Sequence, residues 1–206
     1  MDLIWDVLAA HWTEILGFGT GLVCVLLAGT RNVWNFPIGI ANNLVFIVLF
    51  WGAQLYADLG LQFVYIAMGV MGWRLWSQNR GADQRLIPTH TPRRAIFPLV
   101  FGGAALAAVL AWLLHSFTDS PTVWADATTT AASLVAQFML NKKWIETWWV
   151  WIAVDVAFVG LFVFKELYLT AVLYALFILV CANALRLWRA HLPVPVAVPR
   201  EASALV

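Results

Sequence analysis

Residues 34–50 read WNFPIGIANNLVFIVLF, a run long and apolar enough to cross a bilayer that nevertheless holds two adjacent amides, Asn42 and Asn43, near its middle. A helix spanning the hydrocarbon needs about 17 to 25 residues, most of them apolar. Such runs recur along the chain. Of its 206 residues, 63% are hydrophobic and 11% charged, against roughly half and a quarter in soluble domains. The apolar residues come in blocks rather than in one-sided stripes, which predicts an all-α integral membrane protein. The opening stretch MDLIWDVLAAHWTE has neither the basic region nor the small-residue cleavage site of a signal peptide, so none is expected there. Cys24 and Cys181 lie far apart in apolar segments, where a small buried side chain rather than a disulfide scaffold is the ordinary role.

Seven blocks have spanning length, roughly Trp12 to Ala28, Phe36 to Ala53, Leu59 to Trp76, Ala95 to Phe117, Trp124 to Leu140, Trp148 to Phe164 and Leu167 to Leu187. Basic residues gather on the cytoplasmic side of span ends. With the N-terminus outside, Arg31, Arg74, Arg80, Arg85, Arg93, Arg94, Lys142, Lys143, Arg186, Arg189 and Arg200 are all cytoplasmic, and only Lys165 is external. The expected topology is therefore N-out and C-in. The stretch SQNRGADQRLIPTHTPRR reads as a polar cytoplasmic loop, and the proline-bearing tail, residues 189–206, as disordered.

Laid on itself with an offset of 112, the chain aligns residues 34–76 with 146–188 without a gap and with twelve identities. Among them are Leu55-Tyr56 with Leu167-Tyr168 and Arg74-Leu75-Trp76 with Arg186-Leu187-Trp188. A three-helix repeat over residues 12–76 and a second over 124–188, joined by a loop and crossover helix at 77–123, follow from this match. One intervening span restores the starting direction, so the repeats run parallel in a 3+1+3 order, an arrangement some transporters use around a central substrate site.

Amides and acids at bilayer depth cost about 2.5 to 3.5 kcal/mol for an Asp near the span centre, so they usually face an interior. Spacing agrees with that expectation. Asp126, Thr130, Ser133 and Gln137 share one helical face bordered by Thr129; Trp148, Trp151, Asp155 and Phe158 share another. Span two adds Asn42 and Phe46 with Asn43 beside them, span three Gln62 and Tyr65, and span seven Tyr174. Asn43 and Asp155 are partners under the offset. Asp155 is either a carboxylate facing a polar cavity or a protonated acid bonded to an amide. Thr and Ser hydroxyls on such helices also bond their own preceding carbonyls, and amides also serve as interhelical bonds. Trp12, Trp73, Trp76, Trp124 and Trp188 lie near span ends, where interfacial anchoring is expected. Rings, amides, hydroxyls and one acid together suit a flat aromatic molecule with hydroxyls and some positive charge. His11, His90, His115 and His191 all fall in loops or at span ends, so neither an enzyme, a metal site nor a cofactor is expected, and no nucleic-acid partner either.

The segments NNLVF, QLYADLGLQFVYIAMGVMGWRLW, DATTTAASLVAQFMLNKKWIETWWVWIAVDV and KELYLTAVLYALF resemble the bacterial nicotinamide riboside transporter family, PnuC, over about residues 12–188. The resemblance implies a seven-helix fold similar to a SWEET sugar transporter and a homotrimer in the bacterial inner membrane. It also implies facilitated uptake of nicotinamide riboside, trapped by a cytoplasmic nicotinamide riboside kinase for NAD synthesis. Carried onto matching positions, the family's central site implies Asn42, Gln62, Thr129, Gln137, Trp148 and Trp151 as cargo-binding residues. The family often reads Glu-Asn-Trp where this chain has Glu146-Thr147-Trp148, and related branches carry thiamine or riboflavin. Proton coupling is the alternative to uncoupled transport, with Asp155 as its carrier.

Overall fold

The structure, a computed structural model, describes residues 16–17, 19–52, 56–78, 86–118, 122–164, 166 and 168–193. Side chains at 56, 57, 169 and 170 are outside this description, as are the start of the first expected span, the loop at 79–85 and the tail from 194. Seven helices are present among the described residues: α1 (Gly19–Gly29), α2 (Asn35–Gly52), α3 (Tyr56–Gln78), α4 (Arg93–Phe117), α5 (Val123–Asn141), α6 (Thr147–Phe164) and α7 (Tyr168–Arg189). By length and composition α2, α4, α6 and the Ala171–Arg189 stretch of α7 can each cross a membrane. Helices α3 and α5, of 23 and 19 residues, have spanning length too. Their polar residues, Asp58, Gln62 and Arg74 on one, Asp126, three threonines, Ser133 and Gln137 on the other, lower their apolar character.

Helix α2 packs on α3, α4 on α5, α6 on both α5 and α7, and α3 on α5. The helix limits themselves follow the 112-residue offset: α2 moved by 112 covers Thr147–Phe164, the limits of α6, and α3 and α7 begin at the related residues Tyr56 and Tyr168. Contacts recur in the same way. The Trp76 indole donates to the Leu140 carbonyl at 3.2 Å and the Trp188 indole to the Ala28 carbonyl at 3.1 Å, with both donors and both acceptors related by the offset. The two indoles meet at 5.9 Å between ring centroids. Each also takes an edge-on ring, Phe36 on Trp76 at 4.9 Å and Trp148 on Trp188 at 5.4 Å. These tryptophans are therefore not the interfacial anchors that their place near span ends predicts: Trp76 is 2% and Trp188 0% exposed, because each indole N–H finds a buried carbonyl inside the bundle. Trp73 and Trp124 are exposed as expected, and Trp12 lies outside the described residues.

Helices α1 and α5 end alike. Arg31 and Lys143 stand at φ 62° and 68°, each donating its N–H three residues back, to Ala28 and Leu140, while the next residue donates to Leu27 or Met139. This pairing is a Schellman end, in which the left-handed residue is usually glycine. Basic side chains at these positions give up some backbone ease, and Arg31 uses its guanidinium to hold the Leu86 carbonyl at 2.8 Å.

Leu86 opens the segment leading to α4. Although it follows a polar loop, it is buried at 2% exposure among Trp76, Ile145 and Trp188. Thr89 then exchanges backbone bonds with Lys143 and Ile145. Glu146 receives the Thr91 N–H at 2.8 Å and the Thr91 hydroxyl at 2.7 Å, with His90 Nδ1 2.7 Å from its other oxygen. The segment thus ties the α1–α2 turn to the α5–α6 turn. Partial burial alone would push the Glu146 carboxyl up, yet the bonds from His90 and Thr91 outweigh it and hold the group below its ordinary value. A carboxyl depressed by folding contributes stability above its unfolded value near about 4.3 and loses it as pH falls through the folded one. Accordingly, the melting temperature of the purified protein is expected to drop between about pH 5 and pH 3. Glu146→Gln is expected to melt lower at neutral pH and to flatten that acid slope; a variant with the unmodified profile would remove the clasp from the stability account.

Candidate functional site

A cavity of about 260 Å³ lies inside the bundle, walled by every helix except α4. One water needs only about 10–15 Å³ of such space. Helix α2 contributes Asn42 and Asn43, α3 Tyr65, α5 Gln137, α6 Trp148, Trp151 and Asp155, and α7 Tyr174. The α6 set follows from steps of three and four residues, which put three side chains in line on one helical face. Ala28, Phe36, Leu140 and Trp148 belong both to the wall and to the buried cluster holding Trp76, Leu86 and Trp188. That cluster floors the cavity at the end where α1 and α5 stop.

The wall is mostly apolar and its polar groups are few and placed apart. Asn42 donates its amide to the Gly17 carbonyl at 2.8 Å and to the Thr20 hydroxyl at 2.6 Å, so one side chain joins α2 to the start of α1 while lining the cavity. Gln137 donates to Asn141 Oδ1 at 3.1 Å, and Asn141, fully buried, donates in turn to the Met68 carbonyl at 2.8 Å. This chain fixes the Gln137 amide from α3 through α5. Trp148 is 1% exposed, and its indole N–H is buried without an acceptor among the described residues. A buried donor left unmade costs about 1–3 kcal/mol. Tyr174 is held by rings of Phe158, Phe162 and Phe177, with centroids 4.8, 5.2 and 5.8 Å away. Asp155 is 5% exposed, with the Cys181 thiol 3.7 Å from its Oδ2.

Five residues expected at the site do not line this cavity. Thr129 gives its hydroxyl to the Ala125 carbonyl at 2.7 Å and Ser133 to that of Thr129 at 2.8 Å, the local bonding open to any helical Thr or Ser. Thr130 and Gln62 are half-buried on α5 and α3. Phe46 covers Gly17 and stacks on Phe50 at 5.5 Å. Conversely, the wall includes Cys24, Asn35 and Gly39, which no polar stripe singled out. Thr147, where the resembled family often has an amide, is fully buried and donates to the Ala136 carbonyl at 2.8 Å. It ties α6 to α5 and leaves the cavity to Trp148. Among the described residues no cluster of three or more His, Cys, Asp or Glu is arranged to hold a metal.

Residues 11–190 match the family described as Nicotinamide mononucleotide transporter. The nicotinamide riboside transporter PnuC of Escherichia coli (strain K12) is 24% identical, with 86% of this chain and 84% of that protein covered. The riboflavin/roseoflavin transporter RibM of Streptomyces davaonensis is 28% identical, covering 73% of this chain and 71% of its own. A solved structure described as the vitamin B3 transporter PnuC has the same fold, with a TM-score of 0.70, 20% identity, and coverage of 92% of this chain and 87% of that one.

Proposed function

Since the chain belongs to the nicotinamide mononucleotide transporter family, a family of multi-pass membrane transporters, we propose that its cargo is nicotinamide riboside, bound in the cavity between α1, α2, α3, α5, α6 and α7. Relatives named for nicotinamide riboside transport support this reading. The observation that carries it is the wall itself: Trp148 and Trp151 on α6, with Asn42, Asn43 and Gln137 on α2 and α5, all bounding one cavity. A flat pyridine ring stacks on indole, and ribose hydroxyls and a carboxamide match the side-chain amides.

In this reading the chain is two parallel three-helix units, 12–76 and 124–188, around the crossover α4, and the units rock about the cavity. The recurrence of contacts under the offset supports that division. The protein sits in the bacterial inner membrane as a homotrimer with its N-terminus outside. Transport is uncoupled, and a cytoplasmic kinase traps the cargo by phosphorylation. Riboflavin is the second reading, favoured by the 28% identity to RibM.

Purified protein in liposomes is expected to give saturable entry of labelled nicotinamide riboside at rates well above those for riboflavin and thiamine, with no response to an imposed pH gradient. Faster riboflavin entry would transfer the assignment to the second reading, and acceleration by a pH gradient would replace uncoupled transport.

A further inference from the structure

We propose that Asp155 reads the charge of the cargo, serving as the counter-ion of a cationic, phosphate-free nucleoside, and that it is the specificity-determining residue between cationic and neutral cargoes. The inference rests on the transport reading above. Asp155 is nearly inaccessible, at 5% exposure, and lies on the cavity wall. Its hydrogen-bond partner there is a thiol at 3.7 Å, a weak donor. None of the wall residues is Lys, Arg or His, and none other is Asp or Glu. A carboxylate taken out of water needs an opposite charge or several strong donors to be tolerated. The wall supplies neither, whereas a pyridinium ring inside it supplies the charge. The indoles of Trp148 and Trp151 on the same face of α6 add their own attraction for cations.

The internal repeat sharpens the assignment. Asn43, 112 residues before Asp155, lines the same cavity from α2. Asn and Asp differ little in shape, so two related positions present similar outlines and differ in charge. One amide and one acid at these related positions make the wall electrically one-sided. A flavin-like neutral cargo gains nothing from that asymmetry, and a phosphorylated nucleotide is repelled by it.

The test compares liposome entry of nicotinamide riboside with that of its 1,4-dihydro form, which keeps the ribose and carboxamide but has no ring charge. The unmodified protein is expected to favour the cation by about tenfold or more. Asp155→Asn is expected to abolish that preference while the dihydro form still enters. The double variant Asp155→Asn with Asn43→Asp is expected to restore it, because the charge returns to the same cavity from the related position. A preference unchanged in Asp155→Asn overturns the proposal. So does loss of both cargoes in Asp155→Asn that the double variant fails to reverse, since the residue is then structural. Entry of neither cargo with the unmodified protein overturns the transport reading instead, and this assignment with it.

Discussion

Trp151→Ala is expected to weaken nicotinamide riboside binding by roughly 10- to 100-fold, with the melting temperature of the unliganded protein little changed. Stacking a heteroaromatic base on an aromatic side chain is worth about 1–3 kcal/mol by alanine substitution. Trp151 is placed to supply it, half-buried on the cavity wall and touching the core cluster from outside. Trp148 is a poorer probe, because at 1% exposure with its ring edge on Trp188 it also supports the core. Titration calorimetry of the detergent-solubilised protein decides the matter: affinity retained in Trp151→Ala excludes the ring from the site, and recovery in Trp151→Phe identifies stacking as the lost interaction.

A larger effect on stability is expected at Gly72, on the face of α3 that meets both α2 and α5. A Cβ built there overlaps the Phe36 ring and Asn141 Oδ1. Neither neighbour is free to give way, since Phe36 is edge-on to Trp76 and Asn141 is the fully buried link between Gln137 and the Met68 carbonyl. Overpacking costs about 1–3 kcal/mol, and breaking a buried hydrogen bond adds about 1–3 kcal/mol more. Gly72→Val is therefore expected to lower the melting temperature by several degrees or to leave little folded protein on size-exclusion chromatography. Gly60→Ala on the same helix meets nothing within 4 Å and is expected to be neutral or mildly stabilising. Equal behaviour of the two variants would refute the three-helix junction.

Block length in an apolar sequence reveals where helices run. The stretches Ala95 to Phe117 and Trp148 to Phe164 lie within two residues of α4 and α6, because a helix that crosses lipid must be apolar nearly throughout. The inward faces were legible as well, through the steps joining Trp148, Trp151 and Asp155. Depth and local bonding were not. Ser133 and Gln137 share a stripe, yet only the longer amide reaches the cavity, while the short hydroxyl satisfies a carbonyl one turn back. Nothing in the sequence marks Asn141: its burial against Gly72 depends on how α3 meets α5. The clasp of Glu146 on Thr91 was hidden for another reason. Residues 86–92 have the composition of a polar linker, and only the fold brings them beneath the turns at Arg31 and Lys143.

The two indole-to-carbonyl bonds near the floor of the cavity join α3 to α5 and α7 to the end of α1 by the same contact made twice. Because the two indoles also meet each other, a movement that withdraws one from its carbonyl disturbs the other, and each buried donor left unpaired costs about 1–3 kcal/mol. Coupled in this way, the two joints are expected to open together rather than one at a time.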